Sequence, residues 1–147
     1  MGTLTLPASG VVYLDASPII YSVEKHPVYG PLLQPLWYAA QSKTIEVVSS
    51  DLALMESLVG PLKSGDTAVE KAFEQARFGT DMRLLLITQA VLREATRLRA
   101  TTKLITPDAL HLATARQAGC ALFITNDAGF RGEASPSLVI LDDLLIP

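Results

Sequence analysis

Five short runs rich in β-branched and aliphatic residues recur along the chain with helix-like segments between them: Val11–Leu14, Ile45–Ser49, Arg83–Ile87, Ala121–Thr125 and Leu138–Leu141. Strand, helix, strand, repeated, requires crossover connections, and these give a parallel sheet with helices packed on its faces. The nearly unbroken apolar character of Val11–Leu14 and Leu122–Ile124 agrees, because parallel strands are buried on both sides. At 147 residues there is room for one such core. The expected architecture is an α/β layer sandwich spanning residues 1–147, with 1–10 a flexible N-terminal segment.

The intervening segments carry helix boundary signals. Ser17-Pro18 and Thr106-Pro107 each offer an N-cap followed by proline in the first turn. Thr88 precedes a helix over Gln89–Leu98, and Asp66 or Thr67 precedes one over Val69–Phe78. Gly60-Pro61 lies within or ends the helix that begins near Asp51, and Gly119 closes the one that begins at Pro107.

An apolar fraction of 49% with 18% charged residues excludes a disordered chain. No apolar stretch approaches the roughly 20 residues of a membrane-spanning helix. Residues 1–10 lack the pattern of a secretion signal, so a cytoplasmic protein with no membrane contact is expected. The single cysteine, Cys120, excludes an internal disulfide and reads as a small buried hydrophobe.

Four acids stand where strand-like and helix-like runs meet. Asp15 directly follows Val11–Leu14, and Asp127 closes the strand ending at Thr125, two equivalent strand-end positions. In open α/β sheets ligands bind beyond the carboxyl ends of the strands, near the point where strand order reverses. Glu56 falls, at helical spacing, on a stripe with Leu52, Met55 and Val59, and a carboxylate near a buried face must be paired, protonated or bound to a cation. Asp108 opens the helix after Thr106-Pro107, where the helix dipole alone suffices to explain an acid. Carboxylates about 4 Å apart repel by on the order of 4 kcal/mol at an effective dielectric near 20, so a cluster takes up protons or recruits a cation. All-oxygen ligands select hard ions, Mg²⁺ or Mn²⁺ before Zn²⁺.

Taken in order, VVYLDASPIIY (11–21), SSDLALMESLVGP (49–61), ITPDALHLATARQAGC (105–120) and ALFITNDAGF (121–130) resemble the PIN-domain ribonucleases, most closely the VapC-like toxins of bacterial toxin–antitoxin pairs. The resemblance implies a PIN-like three-layer α/β/α sandwich around a five-stranded parallel sheet. It makes Asp15, Glu56, Asp108 and Asp127 the catalytic and metal-binding acids, with Thr125 and Asn126 as small polar residues that orient them. It implies a Mg²⁺- or Mn²⁺-dependent endoribonuclease in which activated water cleaves RNA, leaving 5′-phosphate and 3′-hydroxyl ends. It also implies a cognate antitoxin protein and a homodimer. Family members with a further acid just beyond the Asp127 position have no counterpart here, where Ala128 and Gly129 stand. A PIN-fold module that binds RNA or protein without efficient catalysis is the alternative.

The net charge of −3 becomes +1 without the four acids, and residues 82–103 hold five cations (Arg83, Arg93, Arg97, Arg99, Lys103) against Glu94 alone. Arg93, Arg97, Lys103 and Arg131 are therefore candidate RNA contacts, against the plainer reading of a solvated helix face. His111, three residues after Asp108 on a Leu- and Ala-rich helix, reads as a packed histidine. Asp142 and Asp143, at the end of the last strand, are left outside the site.

Overall fold

The computed structural model describes residues 2–78 and 81–146. Five parallel strands, β1 (Val11–Leu14), β2 (Glu46–Ser50), β3 (Met82–Leu85), β4 (Leu122–Thr125) and β5 (Ser137–Ile140), form one sheet in the order β3-β2-β1-β4-β5. Six α-helices connect them: α1 (Ala16–Val23), α2 (Tyr29–Gln41), α3 (Asp51–Ser64), α4 (Thr67–Phe78), α5 (Gln89–Thr101) and α6 (Thr106–Gln117). This is the expected α/β fold with a five-stranded parallel sheet.

Side chains alternate across the strands and so divide the core in two. Val12, Leu14, Val47, Leu122 and Ile124 face a cluster that includes Ile19 of α1, Leu33 and Leu36 of α2, Ala53 of α3 and Phe73 of α4. Tyr13, Val48 and Phe123 face the other way, against Val91, Ala95 and Leu98 of α5 and Ala109, Leu112 and Ala113 of α6. Cys120 is buried in this second cluster. Burial raises its thiol to about 12, which keeps it a neutral, unreactive group at ordinary pH.

The strands begin and end within a residue or two of expectation, the largest difference being β3, which ends at Leu85 rather than Ile87. Two caps differ. The first helix starts at Ala16, so Asp15 rather than Ser17 occupies its N-cap, and the Asp15 side chain makes no capping hydrogen bond. The sixth starts at Thr106, with Ile105 at its N-cap. Thr88 and Asp66 do accept, from Val91 N (3.2 Å) and Val69 N (3.0 Å) respectively. Gly119 follows α6 in the left-handed region (φ +66°), as a helix-terminating glycine does.

Within residues 2–10 Leu4 is buried, and Gly2 N donates to Leu144 O at 2.6 Å. Met1 is outside the described residues. Among the described residues no helix is long and apolar enough to cross a membrane.

Candidate active site

The chain runs outward from β1 toward β2 and β3 on one side and places β4 and β5 on the other, so strand order reverses between β1 and β4. Asp15 ends β1 and Asp127 follows β4, which puts both at the crevice where an open parallel sheet accepts ligands. α3 and α6 each begin at or close to this edge of the sheet and bring Glu56 and Asp108 to it.

Asp15 is 6% exposed. One oxygen, Oδ2, accepts from Thr125 Oγ1 at 2.5 Å, while Oδ1 is buried with no hydrogen-bond partner among the described residues. Burial lifts its pKa to about 7; the Thr125 hydroxyl and the His111 imidazole oppose the rise, and the charges of Glu56 and Asp108 add to it. Thr125 also accepts from Asp127 N at 3.0 Å, tying the two strand ends to one hydroxyl.

Asp108 is raised to about 6, first by partial burial, then by the charge of Asp127 and a hydrogen bond with it. A first-turn acid would ordinarily be held low by the helix dipole, so its neighbours outweigh that effect. Asp127 is exposed, and its Oδ1 accepts from Gly129 N at 2.8 Å. A Cβ on Gly129 would stand 3.0 Å from Asp127 Oδ1 and 3.6 Å from Asp108 Oδ2, so a residue without a side chain leaves this cradle open.

Glu56 reaches the site for a different reason from the one its sequence spacing offered. The supposed buried stripe is turned outward, with Met55 60% and Val59 42% exposed, and α3 packs instead through Ala53, Ser57 and Pro61. Glu56 lies beside that face and its Oε1 is 2.5 Å from His111 Nε2. His111 is 2% exposed, and its Nδ1 is 2.7 Å from the Tyr13 hydroxyl. His111, packed as its helix suggests, and Tyr13, which the sequence does not single out, are therefore parts of the site's framework. The signal was present: Asp108 and His111 are three residues apart on one helix, and a phenol inside a buried strand needs a partner.

Asn126 points elsewhere, donating to Tyr21 Oη (3.1 Å) and Asp142 Oδ1 (3.4 Å) and accepting from Asp142 N at 2.8 Å. Asp142, which also receives the Tyr29 hydroxyl, is thus linked to the edge of the site through Asn126. Of the candidate RNA contacts, Arg131 is held by two 3.1 Å contacts to Asp143, and Arg97 Nε by Glu94 at 3.3 Å. Arg93 and Lys103 are exposed.

The donor set suits a hard cation: carboxylate oxygens, one of them buried and without a hydrogen-bond donor among the described residues. Among the described residues no three His, Cys, Asp or Glu side chains stand close enough to form a closed ligand set as they are.

A family model for the PIN domain matches residues 12–133. The chain belongs to the PIN-domain family. Members of this family are typically metal-dependent nucleases. The fold is similar to that of a VapBC2 complex from Rickettsia felis bound to a promoter DNA fragment (TM-score 0.68, 17% identity, covering 88% of this chain and 97% of the other). A toxin–antitoxin complex from Klebsiella pneumoniae gives a TM-score of 0.64 at 21% identity, over 88% and 97% of the two chains. VapC20 of Mycobacterium tuberculosis, a sarcin–ricin loop cleaving toxin, gives 0.63 at 18% identity, over 83% and 91%. Comparison with curated protein sequences gives no match.

Proposed function

We propose that this PIN domain is a Mg²⁺- or Mn²⁺-dependent endoribonuclease that hydrolyses unpaired RNA, and that it is the toxin of a toxin–antitoxin pair, held by a cognate antitoxin and working as a homodimer. The observation that carries the reading is Asp15. A buried carboxylate with one unpartnered oxygen and a pKa near 7 is costly in a metal-free protein, and a cation removes that cost. The likeness to solved toxin–antitoxin complexes supports the biological setting.

Asp15, Asp108, Asp127 and Glu56 would hold the ion. When bound, such an ion lowers the pKa of an attacking water and neutralises charge building on the phosphate. The chain's own part is to present the acids. Thr125 fixes Asp15 by its second oxygen and orders the start of the β4 exit loop through Asp127 N. The charge of Asp127 and a hydrogen bond with it raise Asp108, a repulsion that a bound cation would relieve. Gly129 keeps the approach to both clear.

The test is cleavage of a loop-containing RNA with Mn²⁺. EDTA and Asp15→Asn should each abolish it, and products should carry 5′-phosphates; cleavage that survives either treatment overturns the metal mechanism. The second reading, RNA or protein binding without efficient catalysis, draws on the open spacing of the acids. Calorimetric titration separates the two, since the second requires no Mn²⁺ binding below the millimolar range by the folded chain.

A further inference from the structure

Glu56 is joined through His111 to the phenol of Tyr13 in the central strand. Leu52 N, in the first turn of α3, donates to Ser50 Oγ at 3.1 Å. Ser49, on the neighbouring strand, gives its proton to the Leu14 carbonyl at 2.6 Å. The Tyr13 hydroxyl stands 2.7 Å from His111 Nδ1, and because a carboxylate at Nε2 accepts, the phenol is the donor at Nδ1. An accepting Nδ1 puts the imidazole proton on Nε2. Nε2 faces Glu56 Oε1 at 2.5 Å.

We propose that His111 is a positioning residue for the acid cluster: Tyr13 holds it as the Nε2–H tautomer, and it donates to one oxygen of Glu56, leaving the other for a divalent cation held with Asp15 and Asp108. This rests on the cation reading above. Packing alone does not account for the arrangement. A buried leucine would fill the same space without requiring a phenol in the central strand, whereas here both ring nitrogens of a 2% exposed histidine are matched and the series ends on a carboxylate 30% exposed at the site. The charge of Glu56 acts on both Asp15 and Asp108, so its orientation matters to both. Partners that orient a ligand in this way typically change metal affinity by about 10–100-fold when removed.

The experiment combines two readouts on the full chain, with circular dichroism confirming the fold of each variant. Long-range ¹H–¹⁵N spectra of the metal-free protein should show His111 as the Nε2–H tautomer, and Tyr13→Phe should release that preference. Mn²⁺ calorimetry without RNA should show His111→Leu weaker than wild type by about tenfold or more. His111→Gln, whose amide places a donor near the Nε2 position, should recover most of the loss. A His111 protonated on Nδ1 in the metal-free protein overturns the proposal. So does equal Mn²⁺ affinity in wild type, His111→Leu and Tyr13→Phe. Failure of the wild-type chain to bind Mn²⁺ overturns the cation reading itself, and with it this inference. Should His111→Leu not fold, His111→Gln and Tyr13→Phe carry the same comparison.

Discussion

Asp15 and Asp127 occupy equivalent places, each just past the end of one of two neighbouring parallel strands, and they are held in opposite ways. Asp15 is buried, fixed through one oxygen by Thr125 and left unpartnered at the other. Asp127 is exposed, caps a short 3₁₀ turn through Gly129 N, and pairs with Asp108 across the gap that Gly129 leaves open. One side of the candidate site is a buried, costly carboxylate; the other is a pair near solvent. The difference teaches that position at a strand end nominates an acid, while burial decides how much of its free energy is available to a ligand.

Asp15→Asn breaks this comparison most severely. Several kcal/mol of transition-state stabilisation is at stake, so cleavage of RNA should fall by roughly 10³-fold, measured under single-turnover conditions. The same substitution should stabilise the metal-free protein at alkaline pH. With the folded pKa raised from 3.8 to about 7, both states are protonated below 3.8 and the acid costs nothing. As pH rises the unfolded chain ionises first, and the cost is complete above about 7. At roughly 1.4 kcal/mol per unit, urea unfolding in EDTA at pH 8 should show Asp15→Asn more stable by on the order of 4 kcal/mol, with the gain gone near pH 4. No gain at pH 8 would show that Asp15 is better satisfied than its buried oxygen implies.

On the exposed side, Gly129→Ala adds a Cβ 3.0 Å from Asp127 Oδ1 and should displace it. Activity should fall by about tenfold with little change in unfolding midpoint, because exposed sites tolerate substitution. The smallest effects belong to the cations. Lys103→Ala should weaken RNA binding more than Arg97→Ala, whose charge is already shared with Glu94, and should reduce the salt slope by about one ion or less. Equal effects would place RNA away from this helix.

How much was legible in the sequence follows from the same contrast. The strands could be read because a strand buried on both faces leaves an unbroken apolar run. β3, an edge strand paired to β2 among the described residues, ends two residues before the apolar run does, since Leu86 and Ile87 continue past the pairing. Glu56 was singled out for a stripe that proves to face outward. α3 buries small residues, Ala53, Ser57 and Pro61, which a hydrophobic pattern underweights. The Tyr13–His111–Glu56 connection joins a strand and two helices, and no local pattern carries such information.

β1 lies between β2 and β4, and the hydrogen bond from Thr125 to Asp15 joins residues 110 apart in the chain. Closing so long a loop comes late in folding, and on a ribosome it must wait for β4 to be made. The amino-terminal acid is therefore synthesised long before the strand that completes its surroundings. A chain cut short before β4 thus keeps Asp15, Glu56 and Asp108 but lacks the Thr125 hydroxyl that holds Asp15.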